Sequence, residues 1–558
     1  MAETVPPLTQ VEQLSALLQK VALTAESANQ KVNWESILKL LGTDEHSPGD
    51  VLNGVGEDTL KELLEFLDIW ISGRNTMIPT KWEADYTDLV YCSTVEEVQA
   101  KVKECLSNGS ILRIAGAQHS TPEAVFAPEG EKAIRVKLEG DLRAIEWLGK
   151  DPVNDTITLR VGAGCNLGID PSDPNSNASN SLTRQLDARG YALPILGGMS
   201  HQTIGGYMST STAGGSIDFG CADSILAIEL VDGQGQVRKL DKVANPDEFN
   251  AAVVSMGLFG VFTHITITAG KKYLVKGKEE TVLRPNSIIT SGTAFLDAVH
   301  QNHYVHNVWF AAEFVNSVLQ WTGNQVAEDP GNPVVPYVHP LESRNMNYAA
   351  ATTFLATAWL TYDNAPQLAA LIFNIIQPVG SVQNFCDHWY RALPNDDLAL
   401  IDVVIRVQFT EIWIDLEDAQ KVFDTLTTLF KNDLFAAGNF GVEIYPGKKS
   451  PFWMSMSYGR DVIRIDPYWW EYNVIGDLDE YFEKFWKVLL PFESARLHWG
   501  KHWPAVGKTY GSRKAIGPGF VEESYPKFGE WKALRAQFDP KNVFVTKYWN
   551  DLLGFEAE

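Results

Sequence analysis

The chain has 558 residues, of which 45% are hydrophobic and 21% charged, with 46 Lys and Arg against 70 Asp and Glu for a formal charge of −24. That length and mix predict three or four folding units, or two large ones, around an ample core, and they exclude a collagen, a coiled coil and a wholly disordered chain. The acidic balance argues against nucleic acid as the main partner and against docking on anionic lipid.

The first 78 residues read as an acidic helical extension, with Leu14, Leu17, Leu18 and Val21 and then Leu60, Leu63, Leu64 and Leu67 at helical spacing. They carry no chemistry and are expected to serve packing or an oligomer contact. The opening MAETVPPLTQ lacks a basic and an apolar region, so no signal peptide is expected. No run of about 18 uncharged apolar residues predicts a membrane span.

From residue 79 to 270 the texture is dense in glycine. VEEVQAKVKECL predicts a helix, and ILRIAGAQHS a strand entering a small-residue turn. AIRVKLEG and TITLRVGAGCNLG read as strands, SILAIELVDGQGQVRKLD as a hairpin and LFGVFTHITITAG as another strand. Residues 271–500 mix strands (HNVWFAAEFV, DVVIRVQFTEIWI) with helices (DAQKVFDTLTTLF, LDEYFEKFWKVL), and a proline-rich stretch at 323–347 reads as a surface loop. Residues 501–558 close with a helix and turn, EWKALRAQFDPKNVF. The cysteines, Cys92, Cys105, Cys165, Cys221 and Cys386, are few, odd in number and widely spaced. They predict neither a zinc site nor a disulfide scaffold but a reduced compartment, and with no signal peptide or membrane segment read from the sequence a cytoplasmic location is expected.

Three constellations carry chemistry. In the first, Arg113-Ile114-Ala115-Gly116-Ala117-Gln118-His119-Ser120, a strand delivers a turn whose amides can approach a phosphate, with His119 projecting from it. The second runs from Gly197 to Gly215, six glycines in 19 positions with Thr203, Ser209, Thr210 and Ser211 among them. Such a stretch is expected to form neither an ordinary helix nor a sheet, and instead to supply donors to an extended anion. It is not a P-loop, and no GxGxxG opens a helix. The third joins Gly441-Val442-Glu443-Ile444-Tyr445 to MSMSYGRD at 454–461 and to Arg496-Leu497-His498-Trp499-Gly500-Lys501.

The first two constellations, with the hairpin and GLFGVFTHITI after them, resemble the FAD-binding domain of flavoproteins of the vanillyl-alcohol-oxidase / p-cresol-methylhydroxylase type. The resemblance covers roughly 79–270 and recurs at the C-terminus. It implies an α+β protein, in which a two-subdomain FAD-binding domain (79–270, rejoined by 501–558) carries an α+β cap over 271–500. It places FAD along Ala115, Gly116, Ala117, Gln118 and Ser120 of the first turn. It continues the site along Gly198, Thr203, Gly205, Gly206, Ser209 and Thr210 of the loop, and beside Ile228, Gly260 and Val261. It also implies a covalent bond from His119 to the flavin 8α carbon. Bicovalent members have a cysteine in the loop; Met199 and Ser200 stand there, so a single linkage is expected.

The third constellation is similar to the sugar-lactone and alditol oxidase branch, which has a Glu-x-Arg strand, then a Ser-bearing segment, then HWGK; Phe538-Asp539-Pro540 also fits its ending. The branch implies oxidation of a CH–OH group to a carbonyl by hydride transfer to flavin N5, with O2 reduced to H2O2. Glu443 suits the general base, and Lys501 and His498 suit stabilisation of developing alkoxide or orientation of substrate. Without that context Glu443 reads as an ordinary paired carboxylate, and His498-Trp499 reads equally as packing. The cluster Tyr468-Trp469-Trp470 with Tyr472 reads as core or interface ahead of a substrate wall, the alternative that would suit an apolar or aromatic substrate. One departure stands out: Tyr445 occupies the arginine position, so Lys501, Arg460 or Arg464 supplies the missing charge or the substrate is not a simple sugar; Arg406 matches no motif. A polyol or sugar lactone is the first substrate expected, and a bulkier secondary alcohol such as a sterol the second. Two alternatives stay open: a dehydrogenase with another electron acceptor, and a flavin-binding scaffold or cyclase without net redox. The oligomeric state is likewise open.

Overall fold

Strand β1 (Leu89–Cys92) leads into helix α1 (Val95–Asn108). Thr94 caps that helix, its hydroxyl accepting from the Glu97 amide, and Gly109 ends it in the left-handed region at φ 70°. Val98, Val102 and Cys105, spaced for one helical face, are its buried residues. Strands β2 (Ile111–Ile114) and β3 (Ala133–Leu138) follow, and the three strands pair in parallel in the order β1-β3-β2. The chain is seen here in a computed structural model that describes residues 89–128, 130–170, 173, 175–311, 316–338, 379–394, 407–438, 441–470 and 477–555. The helices expected over residues 1–78, and Arg406 and Tyr472, lie outside them.

A second sheet is antiparallel. It holds β4 (Ile145–Asp151), β5 (Thr156–Gly162), β6 (Tyr191–Ala192), β7 (Ile225–Val231), β8 (Val237–Asp241) and β9 (Val261–Lys271), in the order β4-β5-β9-β7-β8 with β6 on β9. The expected hairpin is β7-β8, and β9 lies at the centre. The glycine-rich stretch corrects one expectation, because Ile204–Ser209 forms a short helix, α2. Thr203 starts it by accepting from the Gly206 amide, and Ile204, Tyr207 and Met208 bury their side chains, which outweighs the low helix propensity of Gly205 and Gly206.

The third sheet has nine antiparallel strands: β10 (Leu274–Leu283), β11 (Tyr304–Phe310), β12 (Ser317–Val326), β13 (Val382–His388), β14 (Val407–Phe409), β15 (Ile412–Asp415), β16 (Val442–Gly447), β17 (Val462–Trp470) and β18 (Arg496–Leu497). Its order is β13-β10-β12-β11-β16-β17-β15-β18, with β14 beside β17. Two sequence readings change here. The stretch 407–415 is two strands, interrupted at Thr410 and Glu411. The proline-rich loop begins only after Val326, and its Tyr337 is buried with its hydroxyl on Glu279 at 2.7 Å.

Alternation divides this sheet into two chemistries. Trp309, Val442, Ile444, Ile463 and Ile465 are at most 2% exposed. Trp309 meets Phe430 at 4.9 Å between ring centroids. Phe430 belongs to α4 (Ala419–Asn432), which packs between α3 (Gly292–Gln301) and α5 (Leu478–Leu489). The intervening positions His306, Glu443, Tyr445, Arg464, Asp466 and Tyr468 fall on the opposite face, where the register sets Glu443 across from Asp466 and Tyr445 across from Arg464. That face meets the glycine-rich loop. Arg464 donates to the Ala213 carbonyl at 2.6 Å, Val305 N to the Gly215 carbonyl at 2.7 Å, and Ser211 and Ser455 share a hydroxyl bond of 2.7 Å.

The C-terminal segment returns to the first sheet. Leu112 N donates to the Val543 carbonyl at 2.8 Å and Arg113 to the Phe544 carbonyl at 2.9 Å. The turn after helix α6 (Phe528–Phe538) is built on fully buried Asp539, which accepts from the Val543 and Phe544 amides and pairs with Arg535 at 2.5 Å. All five cysteines are buried free thiols. Among the described residues no helix is long and apolar enough to cross a membrane. Removing one partner of a buried ion pair strands the other, so Asp539→Ala is expected to lower unfolding stability by about 3–5 kcal/mol, read from denaturant or thermal unfolding.

Candidate functional site

Strand β2 delivers its turn to an open cleft lined among others by Ala115, Gly116, Ala117, Thr203, Gly205, Gly206, Ser209 and Gly260. Small residues are required on this floor. A Cβ on Gly116 would stand 2.7 Å from the Thr203 hydroxyl, and one on Gly205 2.9 Å from the Ala163 carbonyl. Among the described residues the amides of Gly116, Ala117 and Gln118 have no internal acceptor. They form a donor set suited to a diphosphate. Arg143 also lines the cleft, held by Asp173 at 2.7 Å and Asn166 at 2.8 Å. Sequence reading missed Arg143, Asn166, Asp170 and Asp173, which come from segments without a motif.

Several expected residues lie off this floor. Ile228 and Val261 are fully buried within the β7-β9 ladder and do not line the cleft. Gly198 is exposed in the loop, and Thr210 turns its hydroxyl to the Gly206 carbonyl at 3.2 Å. Gln118 sits at φ 62°, a left-handed conformation uncommon for a side-chain-bearing residue, and this redirects the chain so that His119 and Ser120 leave the cleft floor. The His119 ring meets His201 edge-on at 4.4 Å.

The C-terminal motif reaches the same turn. Lys501 Nζ donates to the His119 carbonyl at 3.0 Å, Thr121 N donates to the Gly500 carbonyl at 2.9 Å, and a Cβ on Gly500 would fall 2.5 Å from the Ser120 hydroxyl. Lys501 also lies over the Phe409 ring at 3.8 Å. Burial pushes its amine down to about 8, against the opposing pull of Glu411, Asp466 and Glu443. His498 is buried and pushed down to about 4 by desolvation, so its ring is neutral, with Nδ1 accepting from the Gly500 amide at 3.1 Å. Trp499 is packing: fully buried, stacked on Trp503 at 5.0 Å and donating to the Met454 carbonyl at 2.6 Å.

The polar sheet face stands beside this turn. Glu443 Oε1 is 3.3 Å from His306 Nε2, and the Tyr468 hydroxyl bonds the same carboxylate. Burial raises its pKa, but His306, Tyr468 and Arg464 outweigh that and hold the group below the ordinary glutamate range. Tyr445 donates to Asp466 Oδ2 at 3.1 Å, and the Arg464 guanidinium lies 4.0 Å from its ring centroid. Arg464 pairs with Glu411 at 2.5 Å and Asp466 at 3.2 Å, and also covers the Trp413 ring at 4.7 Å. Of the three cations weighed for the missing charge, Arg464 thus stands opposite Tyr445, Lys501 stands at the His119 turn, and Arg460 turns away to Asp415 at 2.8 Å.

Glu411, Asp466, His306 and Tyr468 went unrecognised as site residues. For Asp466 and Tyr468 the signal was alternation: with Arg464 they fall two apart on a strand, between Ile463, Ile465, Pro467 and Trp469. The aromatic cluster splits the same way, with Trp469 only 5% exposed in the core and Tyr468 on the site face, its ring 5.0 Å from Phe409. Among the described residues no group of three or more His, Cys, Asp or Glu could hold a metal.

Comparison with known proteins finds two family matches: the FAD-binding domain over residues 88–241, and D-arabinono-1,4-lactone oxidase over residues 266–552, just over half of the chain. A D-arabinono-1,4-lactone oxidase of Debaryomyces hansenii is 23% identical over 82% of this chain and 92% of its own length. One from Candida glabrata is 37% identical over 38% of each chain. An L-gulono-1,4-lactone dehydrogenase of Mycobacterium tuberculosis is 22% identical over 82% of this chain and 94% of its own. Among solved structures, a cholesterol oxidase from B. sterolicum superposes with TM-score 0.64 at 15% identity, over 83% of this chain and 94% of that one, a likeness of fold. The donor set and small-residue floor of the cleft fit FAD.

Arg464→Met would leave Glu411 and Asp466 buried without their shared cation. It is expected to lower stability by about 3–5 kcal/mol, measured as a fall in the calorimetric midpoint of the FAD-loaded protein.

Proposed function

The chain belongs to the D-arabinono-1,4-lactone oxidase family, and from that premise we propose that it oxidises a carbinol of a small sugar lactone to a carbonyl and passes the electrons to O2. It is an FAD-dependent oxidoreductase acting on CH–OH groups. The observation that carries the reading is Glu443, a partly exposed carboxylate kept ionised on a sheet face beside the buried Tyr445, Arg464 and Asp466.

Bound FAD supplies the two-electron acceptor for the carbinol hydride and the route of those electrons to O2 as H2O2. Ala115, Gly116, Ala117, Thr203, Gly205, Gly206, Ser209 and Gly260 would hold its extended part in the cleft. Glu443 takes the hydroxyl proton as general base. Lys501 supplies positive charge, and His498, neutral with Nδ1 occupied, presents Nε2–H as a donor; both suit stabilisation of a developing alkoxide. Tyr445 keeps its proton on Asp466, and Arg464 behind it provides the charge that an arginine at that position would bring. A bulkier, more apolar alcohol is the second reading, favoured by the Phe409 and Tyr468 rings beside Lys501 and by the full engagement of Arg464.

The test is anaerobic mixing with sugar lactones, polyols and sterols while flavin absorbance is followed, then admission of air. Lactones are expected to bleach the flavin fastest and air to yield peroxide; rapid dye reduction without peroxide would point to a dehydrogenase, and no bleaching by any alcohol to a non-redox role. Glu443→Gln should retain FAD and slow reduction by about 100-fold or more; an undiminished rate would remove Glu443 from the reaction.

We also propose that His119 carries FAD covalently. The reading is supported by the left-handed Gln118 that turns the chain and by the Lys501 bond to the His119 carbonyl, which together fix the imidazole's anchor. Acid-precipitated protein is expected to stay yellow and His119→Ala to release its flavin into the supernatant; free flavin from the unaltered protein would exclude the bond.

A further inference from the structure

Glu443 lies on β16, between β11 and β17. From β11 the His306 Nε2 comes within 3.3 Å of Oε1, and from β17 the Tyr468 hydroxyl reaches the same carboxylate. The His306 ring is itself braced, tilted against the Tyr445 ring with centroids 5.1 Å apart. We infer that His306 is a positioning residue for Glu443, paired with Tyr468 as the second arm of a clamp that aims the carboxylate and keeps it ionised when substrate and cofactor dry the site. The inference rests on the reading of Glu443 as general base.

A base in a desolvated site faces two problems. Water no longer solvates the anion, so its protonated form gains ground, and a carboxylate free to rotate loses its alignment to the hydroxyl. Donors from the two flanking strands meet both. A carboxylate has about four lone-pair sites, and two donors leave sites for the substrate proton. The clamp acts against other charges nearby. Asp466 on β17 faces Glu443 in register, with burial and the Glu411 charge pushing it well above the ordinary carboxylate range; Glu279 on β10, within electrostatic reach of His306, is raised by burial; and Glu411 is the nearby anion. Arg464 on β17 and Lys501 beyond it offset them. Arg464 is already shared between Glu411 and Asp466, so each donor to Glu443 counts toward holding it ionised.

The sign of the expected effect follows. Removing a donor weakens the ionised form, so protonated Glu443 persists to higher pH and the acidic limb of the rate profile moves upward. The experiment records anaerobic flavin reduction against pH for wild type, His306→Leu, His306→Gln and Tyr468→Phe, using the best lactone found. In His306→Leu the acidic limb should move to higher pH, with the rate at the acid end about tenfold lower, the loss carried by one hydrogen bond to a charged group. KM should stay within about twofold, because the contact is to the base and not to substrate. Gln keeps a neutral donor at similar reach and should recover much of the rate; Phe at 468 should shift the limb the same way. A limb in His306→Leu that superimposes on wild type overturns the inference. Should Leu fail to fold, the Gln and Phe variants decide alone: Gln is expected nearer wild type than Phe, and both limbs unmoved overturn it. Glu443→Gln separates the two claims. If it reduces as fast as wild type, the base reading fails; if it is slow while the His306 limb is unmoved, only the clamp fails.

Discussion

A buried guanidinium, Arg464, joins the two halves of the site. One nitrogen donates to the Ala213 carbonyl of the glycine-rich loop, another reaches Glu411 and Asp466, and its faces lie against Trp413 and Tyr445. Desolvating a charge is costly, and two carboxylates around one arginine cannot both be ionised cheaply. Asp466, fully buried and close to the Glu411 charge, is accordingly pushed well above the ordinary carboxylate range. Burial also works to raise Glu411, but Arg464, Lys501 and the Trp413 indole hold it down. A neutral Asp466 still accepts the Tyr445 hydroxyl, so the phenol is fixed without a further charge. The register partner of Tyr445 on the neighbouring strand is thus a buried cation, Arg464.

The same sheet serves packing and chemistry through its period of two. Alternate residues of β16 and β17 are apolar, on the side of Trp309 and the helix layer, while those between them are Glu443, Tyr445, Arg464, Asp466 and Tyr468. A register slip of one residue would put carboxylates among Phe430 and Phe485 and turn isoleucines toward the glycine-rich loop, so packing against the helices holds the polar face in place. The break at Thr410 and Glu411 belongs to the same arrangement. It separates β14 from β15 and leaves Glu411 2% exposed, its carboxylate accepting from the Trp413 indole at 2.6 Å and its carbonyl from the His498 amide at 3.0 Å.

The HWGK segment and the His119 turn are more than 370 residues apart in the chain yet share three contacts, through Lys501, Gly500 and Thr121. Any side chain at Gly500 would collide with Ser120, and this close approach fixes the distance between the turn and the residues that follow the sheet.

Much of this was legible in the sequence because the responsible signals are local. Small residues after Ile114, the loop from Gly197 to Gly215, and Glu443 and Lys501 in ordered motifs identified an α+β FAD oxidoreductase of the lactone-oxidase branch, and amphipathic spacing located helices α1, α4 and α5 nearly to the residue. The short helix at Ile204–Ser209 escaped because a hydroxyl cap and apolar burial outweighed glycine's propensity. His306, Glu411, Asp466 and Tyr468 escaped because their roles are cross-strand. Register decides which donor meets Glu443 and which cation stands behind Tyr445, and pairing between distant strands leaves no mark on the spacing within either one. Sequence alone thus determined the cofactor class and the fold class and singled out Glu443 as a candidate; tertiary structure alone decided which charges surround that carboxylate, because burial and strand register, not residue type, set their distances.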